Sequence, residues 1–320
     1  MRCSASIMVV WACISTVACA APGPEVIDPE VARQDPDFRL QGEYVGTGTW
    51  KGKQAIFGGQ VIALGNHNFR AVVYPGGLPG GGWKRGNDRI FLEGASAEAV
   101  VKLANKDSFS ARIAANELTI KDSGGETVAK LARTGRKSST LGAKPPQGAV
   151  VLFDGTNVSH FPGATLTKLK TLEAGCNLKG KYKIARFHLE FRLSWKPTAR
   201  GQGRSNSGVY LGGIPEIQVL DSFGLEGANN ECGGFYGRRP PDVNMCFPPL
   251  TWQTYDVVFS KPKTTADGKP NDRILVSVRH NNVVVHQDYR TNAKESPLRG
   301  LHLQRHGNRV QYRNIWLVEP

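Results

Sequence analysis

Cysteine is scarce in this chain: six residues in 320, three of them within the first twenty. The remaining three, Cys176, Cys232 and Cys246, allow one internal bridge at most and leave a thiol over. Cys232–Cys246 is the natural pair, closing a short Gly-, Pro- and Asn-rich loop, and three free thiols are the alternative. No Cys-x-x-Cys or Cys/His spacing is present, so a zinc site lacks its usual ligands. Long apolar runs are missing too. The one candidate, "IMVVWACISTVA" near the start, is shorter than the roughly 20 residues that a spanning helix needs. No segment carries a long helix-period apolar stripe, which excludes helical bundles and coiled coils. Acidic charge is in deficit, with 27 Asp and Glu against 41 Lys and Arg, a net +14. Yet the basic residues stand singly along alternating segments, without a dense run or a nucleic-acid module, so no nucleic-acid partner is expected. A solvated basic surface suits acidic glycans or anionic envelopes.

What is present divides the chain into parts. Arg2, the apolar run and Ala18-Cys19-Ala20 form a signal peptide over residues 1–20 with cleavage near Ala20, so a secreted or periplasmic protein is expected. A lipoprotein acylated at Cys19 ranks lower, because Thr16 stands where a Leu-like residue is usual. Residues 21–38, Pro-rich and acidic, read as a flexible lead-in. Short alternating runs over 39–134, such as "GEYVGTGTW" and "NFRAVVYPGG", predict a β domain of unassigned role. Its "PGGLPGGGW" lacks the Lys-Ser/Thr ending of a phosphate loop and reads as a mobile turn. Residues 135–148, "GRKSSTLGAKPPQG", read as an interdomain linker.

The last part, residues 149–320, is the best patterned. In "FHLEFRLSW" the apolar Phe187, Leu189, Phe191, Leu193 and Trp195 alternate with His188, Glu190, Arg192 and Ser194. "RILVSVRHNNVVVHQ" predicts a hairpin turning at Asn281-Asn282, because Asn tolerates the positive φ of a tight primed turn. Two more strands are expected about Gly307-Asn308. The fold class is therefore all-β, a two-sheet sandwich of jelly-roll type preceded by a smaller β domain.

One apolar strand carries groups that are costly to bury. In "PEIQVLDSF", Glu216 and Gln218 share a face, and Asp221 joins them only if a β-bulge intervenes. The spacing resembles the Glu-x-Asp-x-x-Glu strand of laminarinase-type sandwich glycosidases. Here an amide that cannot titrate holds the middle place, which disfavours two-carboxylate hydrolysis.

Residues 150–320 as a whole resemble the bacterial 3-keto-disaccharide hydrolase family. The matching motifs are "LFDGTN" (152–157), "NSGVYL" (206–211), "PEIQVLDSF" (215–223), "CGGFYG" (232–237), "WQTYDVVF" (252–259) and "LQRHGNRVQYRNIWL" (303–317). The resemblance implies a concanavalin-like jelly-roll and a carbohydrate substrate carrying a C3 ketone. Such a ketone acidifies the C2 proton; a base removes it, the C1 substituent leaves, and water adds back. On this reading Glu216 is the base with Asp221 its alternate or partner, and His306 is the candidate acid. Arg192 and Gln304 would face the oxyanion, while Asn206, Gln218 and Tyr236 would hold hydroxyls. No cofactor is implied; Glu231, Asp242 and His306 are the set for a divalent cation, without compact spacing.

Rival readings stand beside these. Glu216 fits a structural pair with Arg192 or Arg313, Asp221 a turn cap, and His306 a turn histidine. His188 reads as solvated. A lectin-like binding module or a conventional glycosidase would use the same strand, since one fold serves all three.

Overall fold

The computed structural model describes residues 25–97, 99–106, 109–292, 294 and 300–320. The expected signal peptide lies outside them. Strand-forming alternation, seen in "ELTIK" where Leu118 and Ile120 are buried and Glu117 and Lys121 exposed, repeats through the whole chain. No helix among the described residues is long and apolar enough to cross a membrane.

Eight strands follow one another around a closed barrel: β1 Gly42–Trp50, β2 Lys53–Gly65, β3 Asn68–Pro75, β4 Ile90–Ala97, β5 Val100–Ala104, β6 Ser110–Ala114, β7 Glu117–Lys121 and β8 Thr127–Thr134. Strand β8 closes on β1, with Glu43 opposite Thr134. Phe57, Phe69, Val101, Ile113, Leu118 and Leu131 fill the interior, so it is a packed core. The Gly-rich turn after β3 is pinned by Gly76 N donating to Ile56 O at 2.7 Å, and Leu78 and Trp83 are buried within it.

The second domain stacks two antiparallel sheets. The larger has seven strands: β9 Val150–Phe153, β10 Leu172–Glu173, β12 Arg186–Arg192, β15 Trp252–Ser260, β16 Leu275–His280, β17 Val283–Arg290 and β19 Gln311–Val318. The smaller holds β11 Cys176–Asn177, β13 Asn206–Leu211, β14 Ile217–Leu220 and β18 Leu301–Leu303. Phe187, Leu189, Phe191, Val257 and Tyr312 of one sheet meet Val209, Leu211, Ile217, Val219 and Leu303 of the other in one core. Asn281 and Asn282 turn the β16–β17 hairpin at φ 50° and 64°, as their residue type predicts.

Five expectations are corrected. The terminal segment is no hairpin: β18 pairs in the small sheet and β19 in the large one, so Gln304–Val310 crosses the sandwich. From Glu25 the lead-in is held in place rather than flexible. Asp28 and Asp35 cap two short helices, α1 Pro29–Ala32 and α2 Pro36–Leu40. Val26 then bonds Trp195 through the backbone at 2.9 and 2.7 Å, and Phe38 meets the Trp195 ring edge-on at 5.1 Å. The three cysteines are buried and unbridged; Cys232 Sγ meets the Tyr255 hydroxyl at 3.3 Å and Cys246 Sγ donates to Leu220 O at 3.5 Å.

The expected linker is the fourth correction. Arg136 pairs with Glu43 of β1, and the chain then lies across the outer face of the large sheet. Thr140 bonds Asp256 at 2.7 Å, Gly142 N donates to Glu190 at 2.5 Å, and Ala143 O accepts from Asn314 at 3.0 Å. This strap explains why the polar side of β12 is buried. His188, expected in solvent, pairs with Asp256 at 2.7 Å and stacks on Trp316. Arg313 pairs with Glu190 at 2.6 Å over the Trp252 ring. Burial disfavours the Glu190 carboxylate, but bonds from His188, Asn314, Gly142 and Arg313 outweigh it and hold its pKa down at about 2.

A depressed carboxylate stabilises the fold above its ordinary pKa of 4.5, and that contribution is lost as pH falls toward 2. In urea titrations Glu190→Gln should therefore be less stable than the parent at pH 7, by on the order of 3 kcal/mol. The gap should narrow below pH 4.5; a gap independent of pH would contradict this account.

Candidate active site on the four-stranded sheet

Strands β13 and β14 are antiparallel, with Gly208 opposite Gln218 and Val209 opposite Ile217. Continuing that register sets Tyr210 across from Glu216. The odd-numbered residues enter the core, so Asn206, Gly208, Tyr210, Glu216 and Gln218 line the outer face together. Gln304, just past β18, joins them through its backbone N–H to Gly208 O at 2.8 Å. From behind, Ser207 Oγ donates to Gln304 O and accepts from the Tyr312 hydroxyl, both at 2.6 Å.

Glu216 is the centre of this face. The Tyr210 hydroxyl donates to its Oε2 at 2.6 Å, and Gln304 Nε2 donates to the Tyr210 oxygen at 3.3 Å. Oε1 lies over Gly208, where an added Cβ would sit 1.8 Å away, so only glycine leaves room for the carboxylate. With its amide nitrogen turned to Glu216, Gln218 donates to Oε1 at 3.2 Å and to Ser207 O at 2.9 Å. Asn206 Nδ2 is held by the carbonyl and the side chain of Gln202, at 3.0 and 2.9 Å. Burial raises the Glu216 pKa above its ordinary 4.5, against the opposing pulls of Tyr210 and His306. No salt bridge engages Glu216 among the described residues.

A groove of about 570 Å³ opens over Glu216. Its wall is the loop that follows β14. Tyr236 N donates to Glu216 O, and Gln218 N to Gly234 O, both at 2.9 Å, so the loop extends the sheet edge. Phe235 stacks on His286 at 4.0 Å and meets Tyr289 at 4.5 Å, drawing the loop against β17. The barrel's Arg85 donates to Gly227 O and Pro241 O, at 2.9 Å each, and so grips both ends of the loop.

Residues 148–318 match the family described as the 3-keto-alpha-glucoside-1,2-lyase-like domain, which is more than half of the chain. The chain belongs to that family. Two solved proteins from Parabacteroides distasonis ATCC 8503, each described as a "putative glycosyl hydrolase", are similar to it. One is 25% identical, with 55% of this chain and 85% of that chain covered and a TM-score of 0.45. The other is 16% identical, with 54% and 94% covered and a TM-score of 0.40. No curated protein matches.

In this lyase-like domain six of the expected site residues come together. Glu216, Gln218, Asn206 and Gln304 share the polar face, Tyr236 stands exposed at the groove, and His306 lies exposed on the crossing segment, near enough for its charge to favour Glu216 ionisation. Two do not join them. Arg192 belongs to the large sheet's outer face, bonded to Gln311 at 2.6 and 3.0 Å and stacked over Trp252, so it faces no substrate oxygen here. Asp221 is captured by Arg204 at 2.7 Å, both side chains buried; β14 runs without the bulge that would have turned Asp221 to the groove. Neither arginine offered as a structural partner for Glu216 meets it, since Arg313 is spent on Glu190. Glu231 and Asp242 are engaged apart, by the Gly227 and Ala228 amides and by Arg239. Tyr210, Gln202 and Gly208 were not foreseen, although the β13 alternation already places Gly208 and Tyr210 on one face.

Two substitutions separate site from scaffold. Asp221→Ala leaves a buried guanidinium unpaired and should cost about 3–5 kcal/mol in urea unfolding. Glu216→Gln should be at least as stable as the parent at pH 7, because a carboxylate with a raised pKa stabilises fully only below 4.5 and less as pH rises through its folded value. If the two changes cost the same, Glu216 is structural.

Proposed function

We propose that this protein cleaves glycosides bearing a C3 ketone, with Glu216 as the base that removes the C2 proton. Membership of the 3-keto-alpha-glucoside-1,2-lyase-like family supports this reading. The observation that carries it is the solitary carboxylate: among the described residues that line the groove, Glu216 alone is acidic. Retaining hydrolysis wants two carboxyl groups about 5–5.5 Å apart, and inverting hydrolysis also wants two. Elimination needs one base.

The steps balance on the residues at hand. Glu216 takes the C2 proton, and the C–H electron pair forms the C1=C2 bond as the C1–O bond breaks. His306 supplies the proton that the departing oxygen needs. Charge developing on the C3 oxygen is met by donors on the polar face, Gln304 and Gln218, in place of the excluded Arg192. Water then adds across C1=C2, its hydroxyl to C1 and its proton to C2. The net result is hydrolysis of the glycosidic bond. Burial makes Glu216 a stronger base, and the bond from the Tyr210 hydroxyl opposes that rise by favouring the ionised form. The leader sequence favours action outside the cytoplasm.

Purified protein should release 4-nitrophenol from 4-nitrophenyl 3-keto-glucoside and not from the unoxidised glucoside. Glu216→Gln should lose at least about 100-fold in kcat, and Gly208→Ala, which displaces the carboxylate, a similar factor. Release from both substrates would favour a conventional glycosidase, and sugar binding without release a lectin.

The acid limb of kcat/KM should report Glu216, falling as pH drops through its raised pKa. Tyr210→Phe removes a bond that lowers that pKa, so its acid limb should move to higher pH. An unmoved limb would separate Tyr210 from the base.

A further inference from the structure

The groove has a second end. Beyond Glu216 its walls carry Tyr236 and Arg238 from the loop on one side, and Tyr289 and Arg290 from the end of β17 on the other. The loop turn that presents the first pair is tight, with Phe235 N donating to Arg239 O at 3.0 Å and Arg238 N to Phe235 O at 2.8 Å. Arg238 is exposed and enters none of the ion pairs among the described residues. Arg290 bonds Asp272 at 3.0 Å, but Asp272 also serves Arg273 at 3.3 Å, so one carboxylate answers two guanidiniums. This end is therefore cationic, and Glu216 is the only acidic residue among the described residues that line the groove.

We propose that this end is a subsite for a leaving group that is both ring-shaped and anionic, a carboxylate-bearing ring lying between Tyr236 and Tyr289 with its carboxylate on Arg238 and Arg290. This rests on the groove being the sugar site. The tyrosines offer apolar faces to a ring, and guanidiniums bind carboxylates with paired, directional donors. A substrate with one ring over Glu216 can set its second ring here, because these side chains line the same groove. The net charge of +14 would draw anionic substrates toward the surface. Two sources share this chemistry: an aryl carboxylate and a uronic acid.

Calorimetry with unoxidised, uncleavable probes tests this apart from turnover. The probes are 4-carboxyphenyl glucoside against its neutral isostere 4-carbamoylphenyl glucoside, and glucosyl-glucuronic acid against its amide. At least one carboxylate should bind about tenfold tighter than its amide, the factor of one charge-assisted hydrogen bond. The pair that shows it names the source. An Arg238→Gln/Arg290→Gln double variant should lose the preference, and Arg238→Glu should reverse it, with unchanged thermal unfolding. Equal binding of acid and amide in both pairs, or a preference that survives the double variant, would overturn the proposal. Preference with no turnover of keto substrates would sink the lyase reading alone; turnover without preference would sink this one alone.

Discussion

The buried Arg204 guanidinium is the joint on which the rest of the structure turns. It pairs with Asp221 at 2.7 Å, and donates to Pro197 O at 2.9 Å and to Ala63 O of the barrel at 3.2 Å. A charge taken out of water needs this many acceptors, since desolvation costs several kcal/mol per ion. The geometry that satisfies it has consequences. Asp221 is fixed where β14 ends, and the 197–204 segment is drawn in beside it. Gln202, carried on that segment, then reaches Asn206 and stands 2.9 Å from the Gln218 amide. The polar face around Glu216 is thus ordered from a point outside it.

The sandwich has two polar faces built on the same alternation, and they behave oppositely. On the large sheet the buried carboxylate and histidine find charged partners, Glu190 with Arg313 and His188 with Asp256, under a strap of backbone. The result is a carboxylate held near pH 2. On the small sheet Glu216 has hydroxyl and amide neighbours but no guanidinium, and burial pushes its pKa upward. A face whose carboxylate is stabilised lowers its reactivity, and one whose carboxylate is destabilised raises it. The contrast within one molecule argues for function at Glu216 more firmly than either shift alone.

Much of this was legible in the residues, and the failures share a cause. Alternation reports which side of a strand a residue faces, so Glu216, Gln218 and the Asn281-Asn282 turn were readable. It does not report which sheet the strand joins. Arg192 shows this: its pattern matches that of the site residues, but β12 lies in the other sheet. The same blindness turned the β18–β19 crossing into an expected hairpin. Asp221 was misplaced because its partner, Arg204, is 17 residues away, and no local pattern shows a long-range ion pair. Tyr210 lies in a quoted strand motif, but only the register sets it opposite Glu216. The strap failed differently: its Ser, Gly and Pro composition is that of a linker, and its order comes from side chains of the sheet beneath.

The barrel acquires a physical role from the same contacts. A loop such as 228–240, with glycines at 233, 234 and 237, has much conformational entropy to lose before it can present Tyr236 and Arg238. Phe235 stacked on His286 fixes its middle, and Arg85 of the barrel fixes its two ends through Gly227 O and Pro241 O. A single guanidinium bonded to both ends closes the loop, so the wall of the groove is preorganised before substrate arrives. The barrel core also contains Trp195, contributed by the sandwich and clasped by Val26 and Phe38. Each domain thereby completes the other: the sandwich seals the barrel's end, and the barrel stiffens the one loop that the sandwich needs rigid.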